Sequence, residues 1–547
     1  MTTTHPIANG ALKHEEDPQA IIDQKSLDEI SHHNHGVAEG FFERFFGRSP
    51  LDNSGKKTID PLRRHFISRL PESEEELDLP GTSYHCLFLS TIEYTWAKVQ
   101  VIGLELDAEY YDRDSGLVQL YKYAQQVFRS QPTRLFLHGI YIFGLSMELW
   151  VFDRVGMYSC HPFSLSDDQK RAPPIFDTYS RMSDAELGIN PLLHLDDTGT
   201  YILAKAEGEP DQGPSKFYLE DEPIVSPDTI VSQSPICYRA RISTSAKPEF
   251  VVKLSWRSRA RRSEESMLRL VKERKVRGVI QMYSHQQVDT ISNLRRGWTF
   301  AAFKGGSANA STTGTTTFTN LTLNCLVVSP LGRPLGRFHS TEEFLRGFRD
   351  AVGGYRSLHL DGKVLHRDIS PHNIILAEVK REGEPWGVLI DLDLSMELAV
   401  GPARPGEIMG TKAFMAIDVM KRRQHKYRQD LESFLYVFLW VAICGGDRKL
   451  PADSRLQRWL VGDWSELAQK KKDDMEDENF AAIVAEFTPQ FRALEGLAYR
   501  LRDIVFSPEA KSGYKEAEEM YSALISAIDD CLIFHIESQS AAPSYQI

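Results

Sequence analysis

Residues 364–393 constrain the fold of this chain more than any other stretch. Two apolar residues lead into a polar loop, which is followed by a short strand, a turn rich in Lys, Glu, Gly and Pro, and a second strand. Such a hairpin brings Asp368 and Asn373, five positions apart on the loop, close to Asp391 at the end of the return strand. One carboxylate that orients a hydroxyl, with an amide and a second carboxylate that hold magnesium on phosphate, is what phosphoryl transfer needs. The stretch therefore predicts a phosphotransferase site.

The loop itself resembles the catalytic loop of the protein-kinase superfamily, in which His-Arg-Asp is followed by Asn five residues after the Asp. The sequence of the loop and of the segments after it is similar to the fungal-type protein kinase family. It reads His-Arg-Asp-Ile-Ser-Pro-His-Asn-Ile-Ile-Leu, then Leu-Ile-Asp-Leu-Asp, then Gly-Thr-Lys-Ala-Phe-Met-Ala at residues 410–416. The resemblance covers residues 115–445. It implies the α+β class and a bilobal protein-kinase-like fold, with a β-rich small lobe, an α-rich large lobe and an additional N-terminal α/β module. It also implies ATP and Mg²⁺ as cofactors.

Shifts in composition predict where these parts begin and end. Aromatic and branched residues at 134–141 and 147–152 indicate two strands of the N-terminal module, and the acidic, Pro-rich residues 165–222 precede the small lobe. The predicted parts are a mostly flexible N-terminal region with one or two short helices at 1–83, the α/β module at 84–222, the small lobe at 223–331, the large lobe at 332–535 and a flexible tail at 536–547.

Lys253 interrupts an apolar strand, and a buried ammonium is costly unless it has a partner. In kinases the corresponding lysine holds nucleotide phosphates and pairs with a helical glutamate. Glu264 is the predicted partner, because it precedes two core-facing residues of a helix by three and four positions. Glu265 is the alternative.

The resemblance assigns a role to each residue of the motif. Asp368 orients the acceptor hydroxyl, Asn373 and Asp391 hold magnesium, and Lys253, braced by Glu264, fixes the nucleotide phosphates.

The segment after the hairpin carries further candidates. Asp393 stands where typical kinases have Gly, and it either adds a metal carboxylate or caps a turn. Arg367 joins the catalytic set as the natural charge partner of Ser395 or Thr411, should either be phosphorylated. Thr411 could instead bond Asp368.

Two further segments are expected to contact the nucleotide. Val328, Ser329 and Leu331 form the predicted hinge that binds adenine. Family members usually carry a glycine-bearing turn over the phosphates, but the corresponding segment here contains no glycine. Ser232 and Ser234 are small, and the following proline contributes no amide. The loop is therefore expected to bind the ATP phosphates less well than a glycine-bearing loop does.

Other charged features are expected to be structural or solvated. Asp153 and Arg154 mark a hairpin turn, the basic positions 257–262 a solvated helix start, and the charged run 470–478 a solvated loop or helix. Asp430, at the start of a buried helix, is well placed to accept hydrogen bonds from amides of the catalytic loop.

Composition excludes several classes of protein. The formal charge is −12, with Lys and Arg scattered along the chain, so nucleic acid is not an expected partner. The six cysteines lack paired spacing, which argues against a zinc site or a disulfide framework. No apolar run is long enough to span a bilayer, and the N-terminus lacks a signal-peptide pattern. We expect a cytoplasmic or nuclear protein without membrane partners, and the sequence does not predict an oligomeric state.

The preferred interpretation is an ATP-dependent protein kinase that acts on Ser/Thr hydroxyls of a protein substrate, because the chain has an activation segment that closes at residues 416–418. Two alternatives remain open. A small-molecule phosphotransferase, of the aminoglycoside or choline kinase type, shares the catalytic loop but normally lacks an activation segment. The absence of glycine from the predicted phosphate-binding loop suggests the other alternative, a pseudokinase that acts as a scaffold.

Overall fold

A computed structural model describes most of the chain: residues 18–46, 65–67, 85–90, 95–166, 172–208, 213–232, 234–243, 246–258, 263–296, 303–305, 320–378, 382–401, 406–506 and 517–540. Residues 305–317 consist only of Gly, Ser, Ala, Asn and Thr, a composition that predicts a flexible insertion. All of them except Gly305 lie outside the described residues, as do the basic positions 259–262 and most of the two predicted flexible ends. Among the helices that are described, none is both long enough and apolar enough to cross a membrane.

The strands are numbered in chain order. They are β1 Asn34–Ala38, β2 His65–Ile67, β3 His85–Ser90, β4 Val99–Leu106, β5 Phe136–Phe143, β6 Ser146–Asp153, β7 Gly156–Ser159, β8 Phe163–Ser164, β9 His194–Asp196, β10 Gly199–Ala204, β11 Ser215–Leu219, β12 Ile236–Arg241, β13 Phe250–Ser258, β14 Gln281–Thr290, β15 Phe303–Gly305, β16 Leu321–Ser329, β17 Gly332–Pro334, β18 Val364–Leu365, β19 Ile374–Ala377, β20 Gly387–Leu389 and β21 Met396–Glu397.

The α-helices are numbered in the same way, with short 3₁₀ turns left unlabelled. They are α1 Pro18–His33, α2 Phe41–Phe45, α3 Arg113–Ser130, α4 Ala172–Arg181, α5 Glu264–Glu273, α6 Ile291–Leu294, α7 Thr341–Leu360, α8 Ile417–Met420, α9 Tyr427–Cys444, α10 Trp464–Asp474, α11 Asp477–Val484, α12 Glu495–Phe506 and α13 Ala517–Ser540.

The first sheet has the strand order β15-β1-β7-β6-β5-β4-β3-β2, with β8 paired to β6. Its central strands β5 and β6 are buried along almost their whole length, and both are rich in the aromatic and branched residues that predict strands. Helix α3 covers one face. The Asp112 carboxylate caps this helix by accepting a hydrogen bond from the Ser115 amide, and one side of the helix packs on β4 and β5.

The second sheet has the order β14-β16-β13-β12-β11-β10-β9. The predicted boundary at residues 222 and 223 falls inside it, because β11 and β12 are adjacent strands with Leu219 opposite Ala240. The acidic, Pro-rich residues 165–222 therefore contribute three strands and a helix that the sequence did not predict. Strands β9 to β11 are short and partly exposed at the sheet edge, so they lack the apolar runs that mark a strand in sequence.

The two sheets share one core. Apolar side chains of β5, β6, β13 and β16 belong to the same buried cluster. In addition β15, which lies in the chain between β14 and β16 of the second sheet, pairs with β1 of the first. A buried ion pair joins the sheets as well: the Arg295 guanidinium donates to both carboxylate oxygens of Asp153, at 2.6 and 2.9 Å, and both side chains are at most 1% exposed.

The C-terminal half is mainly helical. Helix α9 is buried along nearly all of its length, as its apolar sequence predicts, and it packs with α7, α12 and α13 in one large core. The sequence Ser-Thr-Glu-Glu at residues 340–343 predicts a capping box, and the Ser340 side chain caps α7 by accepting a hydrogen bond from the Glu343 amide at 3.1 Å. Two small sheets, β17-β19-β20 and β18-β21, lie beside these helices and carry the hairpin of residues 364–393.

The Asp153–Arg295 pair generates a prediction about stability. Replacing Asp153 with Ala leaves a buried guanidinium without its carboxylate, which should lower the free energy of unfolding by about 3–5 kcal/mol. Urea denaturation followed by circular dichroism measures this change. Asp177→Ala is the matched control, because Asp177 forms a solvent-exposed ion pair with Arg181 at 2.9 Å, and its loss should cost at most about 1 kcal/mol. Equal losses in the two variants would contradict the importance of the buried pair.

Candidate active site

Lys253 lies near the middle of β13 and is almost fully buried. Its ammonium donates to Glu264 Oε2 at 2.8 Å and to Asp391 Oδ1 at 3.1 Å. Glu264 reaches it because Ser263 caps the N-terminus of α5, which places Glu264 in the first turn with its side chain inward. Glu265, the alternative partner, instead pairs with Arg269. The structure thus brings together three of the residues that the sequence selected.

The charges of this cluster reinforce one another. Burial by itself would lower the pKa of Lys253, but the carboxylates of Glu264 and Asp391 outweigh it and raise this pKa. Burial would likewise raise the pKa of Asp391, whereas the neighbouring Lys253 ammonium brings it below its usual value. Lys253 is therefore charged at neutral pH although it is buried.

Arg257 belongs to the same cluster, although the sequence placed it in a solvated helix start. Its guanidinium pairs with Asp393, and Asp393 Oδ2 also lies 3.6 Å from the Lys253 ammonium. The side chain of Asp393 thus contacts two cations and does not cap a turn. Strand periodicity could have revealed Arg257, because residues four apart on β13 project from the same face.

The predicted catalytic loop holds Asp368 between two partners. The Asn373 amide nitrogen donates to the Asp368 backbone oxygen at 2.8 Å and to Oδ2 at 3.0 Å. The backbone amide and the hydroxyl of Thr411 both donate to Oδ1, each at 2.7 Å. Gly410 permits this approach: its φ is +117°, and a Cβ there would lie 2.8 Å from the Arg367 carbonyl oxygen.

Two buried residues, Asp430 and His366, hold this loop in place through hydrogen bonds to the backbone. Asp430 accepts hydrogen bonds from the backbone amides of His366, at 3.0 Å, and Arg367, at 3.1 Å, which are the contacts that the sequence predicts. His366 Nε2 lies 3.0 Å from the Ile390 carbonyl oxygen, and the Ile390 amide donates to the Asn373 carbonyl at 3.0 Å. The loop is thereby tied to the residues that lead from β20 to Asp391.

Arg367 itself is buried, and burial lowers the pKa of its guanidinium. Among the described residues, its Nε has no hydrogen-bond partner. The proposed phosphate acceptors are occupied otherwise, since the Thr411 hydroxyl contacts Asp368 and the Ser395 hydroxyl donates to the Leu392 carbonyl. Pairing of Arg367 with a phosphorylated segment stays a prediction.

Two of the predicted hinge residues, Val328 and Ser329, end β16, and Leu331 follows two residues after the strand. Val328 is buried opposite Val251 of β13, and Ser329 ends the strand opposite Gln281 of β14. The Leu331 amide donates to the Glu249 carbonyl at 2.9 Å, and the Leu331 carbonyl accepts from the Glu378 amide at 3.1 Å. The Leu331 amide is therefore committed to the protein in this structure and is not free for an adenine.

Ser232 and Ser234 lie in the loop between β11 and β12. The Ser232 hydroxyl accepts a hydrogen bond from the Ser234 amide at 3.0 Å, so the structure joins these two residues to each other. Ile230 of the same loop is 1% exposed and packs in the core formed by α3 and the first sheet. The loop is thus anchored to the N-terminal sheet, a contact that the sequence did not predict.

A model of the family described as "Fungal protein kinase" matches residues 88–442. A search of curated proteins finds no match. The matched region contains most of both sheets, the Lys253 cluster and the hairpin with Asp368, Asn373 and Asp391. Because this match covers more than half of the chain and includes the whole candidate site, the chain belongs to the fungal protein kinase family.

Proposed function

We propose that this chain is an ATP-dependent protein kinase that transfers the γ-phosphoryl group to Ser or Thr hydroxyls of protein substrates. The observation that carries the proposal is that the buried ammonium of Lys253 pairs with Asp391, and that the residue before Asp391 is hydrogen-bonded to Asn373, the partner of Asp368. These groups come from distant stretches of the chain and together match the needs of phosphoryl transfer. The proposal includes the bilobal arrangement, with the second sheet in the small lobe and the helical half as the large lobe.

The donor set fits a bound Mg²⁺. The nitrogen of the Asn373 amide is committed to Asp368, which leaves its oxygen for a metal, and Asp391 supplies a carboxylate. Oxygen donors of this kind are the ligands that Mg²⁺ prefers. The carboxylates of Glu264, Asp391 and Asp393 offer atoms within 4.8 Å of one another. Among the described residues, the ion pairs of these three carboxylates are made with two cations, Lys253 and Arg257. A bound magnesium ion would neutralise charge on the phosphates.

The acceptor side of the proposal rests on Asp368. Its Oδ1 accepts a hydrogen bond from the Thr411 hydroxyl at 2.7 Å, so an aliphatic alcohol fits beside this carboxylate. A substrate Ser or Thr hydroxyl would donate to Asp368 in the same way and be oriented for attack. The segment after Asp391 also supports a protein substrate over a small molecule, because it continues through Thr411 to α8.

The anchored loop between β11 and β12 speaks against the scaffold alternative. Flexible glycines normally let backbone amides approach phosphate. Here Ile230 is buried in the first sheet, and the carbonyls of Asp228 and Ile230 lie 3.4 and 3.5 Å from guanidinium nitrogens of Arg129 and Arg154. A loop whose backbone is already fixed loses little entropy when a nucleotide binds. We therefore propose that the anchor compensates for the absent glycines.

The catalytic assignment predicts the effect of changing Asp368. Asp368→Asn removes the acceptor for the substrate hydroxyl proton and should reduce phosphate incorporation from radiolabelled MgATP into casein by about a hundred- to a thousandfold. Asp453→Asn, on an exposed turn, is the matched control and should leave the rate unchanged. Unaltered incorporation in Asp368→Asn would refute the assignment. Transfer to an aminoglycoside or to choline but not to protein would favour the small-molecule alternative, and wild-type protein without turnover or MgATP binding would favour the scaffold.

The loop anchor predicts a change in nucleotide affinity. Ile230→Ala frees the loop from the N-terminal sheet, and the Kd for MgATP should rise about threefold to tenfold, the cost of ordering the loop on binding. Isothermal titration calorimetry measures this affinity. Ile224→Ala is the matched control, because Ile224 lies in the same loop but is 38% exposed. An equal Kd in the two variants would mean that the anchor does not support the nucleotide site.

A further inference from the structure

Lys471 is a fully buried lysine in a run that looks solvated in sequence. It lies on α10 between Lys470 and Lys472, and Lys472 is exposed as expected. The Lys471 side chain has no exposed surface, and its ammonium donates to the backbone carbonyls of Ala413 at 2.8 Å and Met415 at 2.7 Å. The prediction of a solvated run is therefore wrong at this position.

The surroundings of Lys471 are built for a cation. Its Nζ lies 4.0 Å from the ring centre of Tyr436 and 4.9 Å from that of Trp459. The faces of aromatic rings attract cations. The Trp459 ring is itself held by Asp474, which accepts its indole N–H at 2.8 Å. Two carbonyls and two rings thus replace the water that a lysine normally requires.

A second buried group fixes the same segment from α9. Glu432 accepts a hydrogen bond from the Ile417 backbone amide at 2.7 Å and another from the Tyr436 hydroxyl at 2.7 Å. Burial lowers the pKa of Lys471 and raises that of Glu432, which expresses the cost of holding both groups away from water.

The segment that these groups hold begins at the candidate active site. Residues 411–417 start with Thr411, whose amide and hydroxyl contact Asp368, and end with Ile417 on Glu432. Between these ends, the Lys471 ammonium donates to the carbonyls of Ala413 and Met415. The segment is thereby fixed at its start, its middle and its end, and Thr411 at its start is exposed.

We propose that Lys471 is a positioning residue for the protein substrate. Its ammonium fixes the backbone at residues 413–415, so that residues 411–417 form a rigid support beside Asp368 on which the acceptor peptide lies. This inference rests on the proposed protein kinase activity. Loss of the ammonium would release two carbonyls from a buried site, and the peptide would then have to order the segment on binding.

Steady-state kinetics with dephosphorylated casein test the inference. Lys471→Met keeps the length of the side chain but removes the cation, so the KM for casein should rise about tenfold or more, the worth of hydrogen bonds from a charged donor, while the KM for ATP stays unchanged. Lys471→Arg keeps a cation that can donate to both carbonyls and should largely restore the KM for casein. Lys472→Met, one residue away and exposed, is the matched control and should behave as the wild type.

Hydrogen exchange gives a readout that does not depend on activity, and its first measurement needs only the wild-type protein. In the wild type, the Ile417 amide should exchange about as slowly as the core of α9, and Lys471→Met should accelerate exchange across residues 411–417 but not in α7. Fast exchange at Ile417 in the wild type would overturn the inference. An active Lys471→Met variant with unchanged KM for casein, or one that loses only kcat, would overturn it as well. A wild-type protein that binds MgATP but phosphorylates no protein would overturn the proposed function instead, and the inference with it.

Discussion

The candidate site depends on one electrostatic constraint, which is that the buried Lys253 ammonium must be matched by carboxylates. Glu264 and Asp391 provide this match; Glu264 lies on α5, and Asp391 lies two residues after β20. Because the three groups are held within hydrogen-bond distance, the position of α5 against the second sheet is tied to the position of the hairpin that carries Asp368 and Asn373. A buried charge without its partner would be costly, so this cluster selects one arrangement of these elements.

The first sheet is integrated with the second and is more than an appended module. Strand β15 lies between β14 and β16 in the chain, but it pairs with β1 of the first sheet. In addition, Asp153 forms a buried ion pair with Arg295. Ile230 adds a third connection, because it lies in the loop between β11 and β12 of the second sheet and packs in the core of the first. The family match, which includes strands of both sheets, agrees with this shared core.

Helix α9 organises the helical half around the site. Asp430 and Glu432 lie near its N-terminus, where the helix dipole favours negative charge. Asp430 accepts hydrogen bonds from backbone amides of the loop that carries Asp368, and Glu432 accepts one from the backbone amide of Ile417, at the end of residues 411–417. One helix therefore sets the position of two chain segments that meet at Asp368, and Lys471 of α10 supports the second of them.

The sequence by itself determined the features that are encoded locally. The catalytic-loop motif located Asp368 and Asn373, and a lysine in an apolar strand marked Lys253. A capping box with an apolar stripe located α7, and a sequence that is apolar on nearly every side located α9. Glu264 followed from helical periodicity, because the spacing of residues within one helix fixes which side chains share a face.

Only the tertiary structure decided the contacts between distant stretches. Arg257 meets Asp393 across 136 positions, and Lys471 reaches Ala413 and Met415 across 58 and 56. Lys471 looks like its solvated neighbours in sequence because its burial is created by the rings and carbonyls of other elements. The half-exposed strands β9 to β11 escaped prediction for a related reason: they are strands because their neighbours in the sheet pair with them, and their own side chains carry little sign of it.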